Sequence, residues 1–185
     1  MIEMHIESMG VSPENHRGVV VLKEQAGQRC LPIWIGSAEA GAIAAKLQGA
    51  DVPRPLSHDL LCSIIDNLKA SVESVIINDL RDDTFYATIL LNTVEGQTDV
   101  DSRPSDALAV AVRTGVPIFV EETVLDEGGV LVDSETGQVV PHRTSGEKQV
   151  TEEELSRLSA FSDFINTLDI KELDDEKKKD KDSDR

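Results

Sequence analysis

The first third of the chain has the hydrophobic pattern of β-strands. Residues 2–7 alternate between apolar and polar side chains, which is the period of two expected of a strand with one solvent-facing side. Two further apolar runs, 18–22 and 30–36, are separated by a turn-rich stretch. Pro32 cannot donate to a strand ladder, so the third strand is predicted to be an edge or to contain a bulge there.

From Ser37 onward the pattern changes to the spacing of helices. Ser37 is predicted to cap an alanine-rich helix with Glu39 in its first turn, and a helix with such small side chains packs closely on its neighbour. Ser57 is predicted to cap a second helix that covers the sheet, and Pro104 to be the first residue of a third. The second helix has one apolar stripe, formed by Leu60, Leu61, Ile64, Ile65 and Leu68.

Two later stretches complete the predicted sheet. Residues 75–77 and 85–91 form a hairpin whose turn is the segment 81–84, and residues 117–120 form a last core strand. Helices and strands in this order predict an α+β fold, in which helices cover a mixed or mostly antiparallel sheet.

The composition changes beyond residue 130. We predict a body over 1–130, a linker or short hairpin over 131–150, an amphipathic helix over 151–170 and a disordered charged tail over 171–185. The apolar positions of this helix are Leu155, Leu158, Phe161, Ile165 and Leu168. A single amphipathic helix either docks on the body or packs against another chain.

Charge and composition exclude several classes of function. The formal net charge is −17, and because residues 151–185 hold 12 acidic and 7 basic residues, the remaining 23 and 11 leave residues 1–150 at −12. Such a surface disfavours non-specific coating of DNA. A glycine-rich phosphate loop, the serine-hydrolase elbow and zinc-binding motifs are missing from the sequence. The sequence contains neither a membrane-spanning run nor a signal-like start, so we expect a cytoplasmic protein without membrane partners.

Two polar clusters stand at predicted helix starts. The first contains Arg54, His58 and Asp59, and the second contains Asp99, Asp101, Arg103 and Asp106. Helix N-termini favour anions because their backbone N–H groups are unpaired. Together the clusters could hold a phosphodiester, with carboxylates binding a divalent ion, arginine neutralising the phosphate, and the ion or His58 activating water.

A purely local interpretation of the same residues stays open. Ser57, Asp59, Ser105 and Asp106 are ordinary first-turn residues that satisfy unpaired N–H groups. Asp101 and Arg103 can simply pair with each other.

Several ordered segments resemble one known family, the bifunctional nuclease domain. The segments are Leu31-Pro-Ile-Trp-Ile-Gly36, Glu39-Ala40, Arg54-Pro-Leu-Ser-His-Asp-Leu-Leu61, Phe85-Tyr-Ala87, Val100-Asp-Ser-Arg-Pro-Ser-Asp-Ala-Leu-Ala109 and Pro117-Ile-Phe-Val120. The resemblance covers roughly residues 1–130 and implies an α+β domain acting on DNA and RNA. Ser57 and Ser102 stand where the family pattern favours Thr and Ala. The helical hairpin that some relatives carry at the C-terminus is not evident.

Residues of both clusters match motif positions of the family, and their expected roles are assigned on physical grounds; the divalent ion is such an inference and is not implied by the resemblance. The expected catalytic residues are His58, Asp59, Asp101 and Asp106; the expected substrate-binding residues are Arg54, Arg103 and Ser105; the expected ligands of a divalent ion, Mg or Mn, are Glu39, Asp101 and Asp106. No organic cofactor is expected.

Two hypotheses follow for function. The first is a nuclease that hydrolyses phosphodiester bonds in DNA and RNA, with or without a divalent metal. The second is a non-catalytic binding or regulatory module that recognises a small anion or a protein partner. In either case the lean first helix and the unpaired C-terminal helix favour a homo-oligomer, with a dimer as the commonest outcome.

Overall fold

The computed structural model describes residues 1–11, 17–25, 27–132 and 139–141. Within these residues nine strands form one sheet in the order β6-β5-β4-β7-β1-β2-β3-β8-β9. Neighbouring strands are antiparallel, except that β4 and β7 run parallel. The predicted α+β fold with a mixed sheet is therefore confirmed. The strands are β1 (Ile2–Val11), β2 (Gly18–Glu24), β3 (Arg29–Ile35), β4 (Ser71–Arg81), β5 (Thr84–Thr93), β6 (Gly96–Ser102), β7 (Ile118–Val120), β8 (Val130–Val132) and β9 (Val139–Pro141).

Four helices accompany the sheet in the described part of the chain. They are α1 (Ser37–Leu47), α2 (Ser57–Asn67), α3 (Pro104–Thr114) and α4 (Glu122–Gly128). The helix α3 lies over β4 and β5, and both α1 and α2 pack against α3. One core joins the inner faces of the strands to α1, α3 and α4.

The α1 helix packs as closely as its small side chains predict. A Cβ added to Gly18 of β2 would lie well inside van der Waals contact with the Cβ of Ala40. Both residues are buried, so the absence of a side chain at position 18 sets how near the helix approaches the sheet.

The hairpin of β4 and β5 has the predicted turn. Asp82 and Asp83 form its two-residue loop, and both have positive φ, 46° and 60°. Two consecutive left-handed residues give the turn a twist that matches the flanking strands, and Asp tolerates this conformation better than most residues.

The predicted packing of α2 is only partly correct. Ile65 is buried and Leu61 packs against the core, but Leu60, Ile64 and Leu68 are 57%, 48% and 72% exposed. The prediction that the whole stripe covers the sheet was wrong, because α2 lies at the edge of the helical layer and buries only the side that faces α3 and β4.

The sequence pattern did not reveal β6 or α4. The β6 strand is an edge strand whose residues are almost all exposed, so it lacks the alternation that marks a half-buried strand. Among the described residues, β8 pairs only with Arg29 and Cys30 of β3, so the outer side of β3 is an edge at Pro32, as predicted. The short hairpin predicted within 131–150 is present as β8 and β9.

The predicted C-terminal helix and charged tail lie outside the described residues. In the described ranges, every helix is shorter or more polar than a bilayer crossing requires.

Candidate functional site

Three helix starts share one feature, a carboxylate at the third helical position. These residues are Glu39 in α1, Asp59 in α2 and Asp106 in α3. A carboxylate at this position accepts hydrogen bonds from unpaired N–H groups and interacts favourably with the helix dipole. Each first turn is therefore negatively charged, and each attracts a cation.

The two predicted serine caps lie one position too far along the chain. Gly36 and Leu56 are the N-cap residues, while Ser37 and Ser57 are already the first helical residues. The acid two residues further on does the capping in α2, because the N–H of Leu56 donates to Oδ2 of Asp59 at 2.8 Å.

A buried arginine binds the carboxylate of Asp59. Nε of Arg113 donates to Oδ1 of Asp59 at 2.6 Å, Nη1 to the carbonyl of Ala109 at 3.0 Å and Nη2 to the carbonyl of Ala42 at 3.2 Å. The Arg113 side chain is only 5% exposed. One guanidinium therefore joins the first turn of α2 to the middle of α1 and to the C-terminal half of α3. Sequence reasoning missed this residue, whose position in the last turn of α3 is also ordinary for a cation facing a helix dipole.

Both oxygens of the Asp59 carboxylate therefore accept hydrogen bonds within the protein. Its partial burial alone would raise the pKa of the carboxyl, but the bonds from Arg113 and from the N–H of Leu56 outweigh this effect and hold the pKa below its usual value. Asp59 is therefore ionised at neutral pH and stabilises the position of the α2 N-terminus.

The first turns of α2 and α3 meet at Asp106. Arg103 grips this carboxylate with two bonds, Nε to Oδ2 at 2.8 Å and Nη2 to Oδ1 at 3.1 Å, and Nε2 of His58 lies 3.2 Å from Oδ1. Burial raises the pKa of Asp106, but the bonds from Arg103 and His58 outweigh it and the pKa falls below its usual value. The predicted convergence of the two polar clusters is thus observed for His58, Arg103 and Asp106.

The first turn of α1 joins the same network through Glu39. Nη1 of Arg103 lies 3.1 Å from Oε1 of Glu39, and the Glu39 carboxylate folds back so far that a Cβ on Gly36 would overlap it. Arg103 is 66% exposed while Glu39 is 21% exposed. The guanidinium therefore bridges two half-covered carboxylates and presents its outer side to solvent.

His58 is held with one ring nitrogen toward the network. Its side chain is 12% exposed, and Nδ1 is buried with no hydrogen-bond partner among the described residues. The nitrogen within hydrogen-bond distance of the network is therefore Nε2, which faces Asp106.

Two further predicted residues differ in accessibility. Arg54 is exposed three positions before α2 begins, so its side chain is available to an anion at that helix start. Ser105 is 5% exposed as the second residue of α3, and its hydroxyl has little surface that a substrate could contact.

Asp101 lies away from the network. It pairs with Thr88 across β6 and β5, whereas Ser102 pairs with the buried Ala87. Since successive strand residues point to opposite faces, Ser102 faces the helix-covered core and Asp101 faces the other side of the sheet.

The predicted metal ligands consequently do not form one site. Glu39 and Asp106 are both bound to Arg103, and Asp101 lies on the opposite face. Across the described ranges, three His, Cys, Asp or Glu side chains nowhere gather as a metal site requires. We therefore derive no step from a bound ion.

Comparisons with known proteins agree with the resemblance seen in the sequence. The family model of the bifunctional nuclease domain matches residues 20–133, which include the first turns of α1, α2 and α3. An uncharacterized protein of Mycobacterium tuberculosis is 39% identical over 171 residues, covering 92% of this chain and 99% of that protein. Bifunctional nuclease 1 of Oryza sativa subsp. japonica is 25% identical and bifunctional nuclease 2 of Arabidopsis thaliana 26% identical, each over 120 residues that cover 63% of this chain and 36% of the plant protein.

Proposed function

This chain belongs to the bifunctional nuclease domain family, and from that premise we propose that it hydrolyses phosphodiester bonds of DNA and RNA where α1, α2 and α3 begin. The observation that carries the proposal is the connected network of His58, Asp106, Arg103 and Glu39. It combines an exposed arginine side chain with a histidine N–H, and both kinds of group bind and polarise a phosphate.

Arg103 binds the phosphate in this proposal. Its fork now engages the two oxygens of Asp106, and a phosphodiester presents two non-bridging oxygens that fit the same fork. Because the Arg103 side chain is 66% exposed, a phosphate reaches it without unfolding of the helix starts. Arg54 adds a second exposed positive charge at the α2 start.

Asp106, held in place by His58, accepts the proton of the attacking water in this proposal. When the phosphate takes over Arg103, Oδ1 of Asp106 still accepts the N–H at Nε2 of His58, which orients the carboxylate. A water beside Oδ2 of Asp106, the oxygen that Arg103 releases, transfers its proton to that carboxylate as the water oxygen bonds to phosphorus, which is general-base catalysis. The bond from phosphorus to the leaving oxygen breaks in the same step, and the leaving oxygen takes a proton from solvent. Asp59 acts indirectly, because it is bound to Arg113 and fixes the helix that carries His58.

The negative charge of the protein sets a condition on this function. At −17, the molecule repels a polyanion at long range, so local cations have to compensate. Lys46 supports Arg54 and Arg103, since it lies near enough to Asp59 to help lower the pKa of that residue. Millimolar divalent cations would weaken the repulsion by screening, whether or not one occupies the site.

A binding or regulatory module is the second candidate, and a specific observation favours it. Every carboxylate at the helix starts is already paired, Asp59 with Arg113 and Leu56, and Asp106 and Glu39 with Arg103. A site of this kind can bind a small anion through Arg103 without catalysing its hydrolysis.

A nuclease assay separates the two functions. Purified protein is incubated with plasmid DNA and with single-stranded RNA in magnesium, manganese or chelator, beside His58→Gln, Arg103→Gln and the matched control Asp99→Asn on exposed β6. The proposal predicts cleavage that falls at least about a hundredfold in the first two variants and is unchanged in the control. Cleavage that survives in His58→Gln and Arg103→Gln belongs to another site or a contaminant. Anion binding without any cleavage supports the binding module.

The role expected of Asp101 is tested in the same assay. If Asp101→Asn abolishes cleavage while His58→Gln does not, the reacting site lies on the other face of the sheet and our placement is wrong.

A further inference from the structure

The outward side of α2 is an apolar surface in an otherwise polar region. Leu60, Ile64 and Leu68 are spaced by four residues, so they form one row along the helix, and they are 57%, 48% and 72% exposed. Among the described residues nothing covers this row. We call these three residues the α2 row.

A second apolar row is predicted elsewhere in the same chain. Residues 151–168, which lie outside the described residues, have the sequence of an amphipathic helix that cannot bury its apolar side alone. We propose that this segment packs on the α2 row of its own chain. The apolar residues that would face α2 are Leu155, Leu158, Phe161, Ile165 and Leu168.

The connecting chain is long enough for this contact. The last described strand ends at Pro141, and the nine residues 142–150 span up to about 30 Å when extended. The β9 strand is two strands from β3, about 10 Å. The seven-residue helix α4, about 10 Å long, contacts both β3 and β4, and α2 packs against β4. The steps from β9 to β3, along α4, and from β4 to α2 therefore add up to about 30 Å.

Charge favours the same pairing. Residues 151–168 contain four acidic residues and one arginine. Exposed basic residues flank α2, namely Arg54 before its start, Lys69 after its end and Lys46 near Asp59. Asp66 on α2 and Asp51 before it are also exposed, so the three bases leave this part of the surface only slightly positive. On a molecule with a negative overall charge, this still favours an acidic helix.

Residues 151–168 also lie within the part of this chain that aligns with a relative. The match to the Mycobacterium tuberculosis protein covers 92% of the 185 residues, so at most about 15 residues lie outside it. A continuous match of this length includes residues 151–168. Residues 151–168 therefore belong to the shared chain and are not a terminal extension of this protein alone.

The test asks whether the segment stays bound after the connection is cut. A protease recognition sequence is inserted after Gly146 in the full chain, the purified protein is cleaved, and size-exclusion chromatography with light scattering gives the mass and composition of each species. We expect the C-terminal fragment to remain with one body in a 1:1 complex. Ile64→Asp with Leu68→Asp should weaken retention at least about tenfold, and so should Leu158→Asp with Phe161→Asp.

Val94→Asp is the matched control, since Val94 is an 85% exposed apolar residue in the turn between β5 and β6 and should leave retention unchanged. Circular dichroism checks that the variants keep their helices. The proposal is overturned if the fragment separates from the unsubstituted body, or if it stays bound to the α2 variants. It is equally overturned if the uncut protein is a dimer that the α2 substitutions split, because a second copy then covers the row.

Discussion

Arg113 and Asp59 are joined across the interface of α3 and α2, with 2.6 Å between Nε and Oδ1. They lie 54 positions apart in the sequence. Through the same guanidinium Arg113 also binds a carbonyl of α1. The relative positions of the three helix starts therefore depend on a side chain that is 5% exposed and does not belong to the His58–Asp106–Arg103–Glu39 network.

Replacing this arginine should destabilise the fold. Arg113→Met keeps an unbranched side chain but removes all three bonds and leaves the Asp59 carboxylate without its cation, so we expect the free energy of unfolding to fall by about 2–3 kcal/mol. Urea denaturation measures this. In a double-mutant cycle with Asp59→Asn the two losses should be clearly less than additive. Fully additive losses would contradict the bond.

A fall in pH should lower the stability that Asp59 and Asp106 contribute to the fold. Asp59 and Asp106 both have a pKa lowered by their partners in the folded protein, so the unfolded chain takes up protons first as the pH falls. Their contribution to stability is complete above the unfolded value of about 4 and is lost as the pH falls through the folded values.

The measurement is the melting temperature between pH 7 and pH 2. The double variant Asp59→Asn, Asp106→Asn should start lower at neutral pH and show a shallower decline below about pH 5. An unchanged slope would mean that neither carboxylate is bonded in the fold.

Substitution of two glycines by alanine should have opposite effects on the stability of the protein. Gly18→Ala places a methyl group against Ala40, and we expect a loss of about 1–3 kcal/mol. Gly41 lies on the exposed side of α1 with nothing within 4 Å of an added Cβ, so Gly41→Ala should stabilise the protein by up to about 1 kcal/mol. Thermal melting of both variants tests this. Equal effects would show that α1 does not approach β2 as described.

The two thiols should differ in reactivity. Burial raises the pKa of Cys30 to about 11, and Cys30 is only 4% exposed. Burial also raises the pKa of Cys62, but this residue is partly accessible on α2. At pH 8 a thiol reagent should therefore modify Cys62 well before Cys30.

Mass spectrometry of peptides identifies the modified residue. Cys62→Ala should remove the faster phase, and denatured protein should react at both positions at the same rate. Faster labelling of Cys30 would contradict the placement of β3 in the core.

Much of the fold could be predicted from the hydrophobic periodicity of the sequence and from the residue types in its turns. The Asp82-Asp83 turn and the close-packed α1 follow from short-range sequence features. The α2 row shows the limit of this reasoning, since the helical period identifies apolar positions but not which of them meet the sheet. The β6 strand was missed because an exposed polar edge strand carries no alternation.

The candidate site, like the fold, could be predicted only in part. The meeting of His58 and Asp106 could be predicted because both belong to polar helix starts. The separation of Asp101 from Asp106 could not, because it depends on β6 being a strand whose successive residues face opposite sides. The bond between Arg113 and Asp59 could not be predicted for a different reason. The two residues are distant in the sequence, and the helix dipole alone explains an acid in a first turn and a base in a last turn.

The bridge between Arg103 and Glu39 leads to a last prediction, about nucleic-acid binding. Glu39 competes with a phosphate for the same guanidinium, at 3.1 Å from Nη1. Glu39→Gln should therefore strengthen binding of a labelled single-stranded oligonucleotide, by about threefold for one charge at roughly 6 Å in water. Fluorescence anisotropy in chelator and at about 0.1 M salt measures this binding.

The matched control is Glu73→Gln. Glu73 bonds Gln97 near the start of β6, and Arg103 follows the end of that strand, about 17 Å away along it. This exceeds the Debye length of about 10 Å at 0.1 M salt, so neutralising Glu73 should change affinity little at that ionic strength. If both substitutions strengthen binding equally, the gain reflects net charge alone, and Arg103 is not where the phosphate binds.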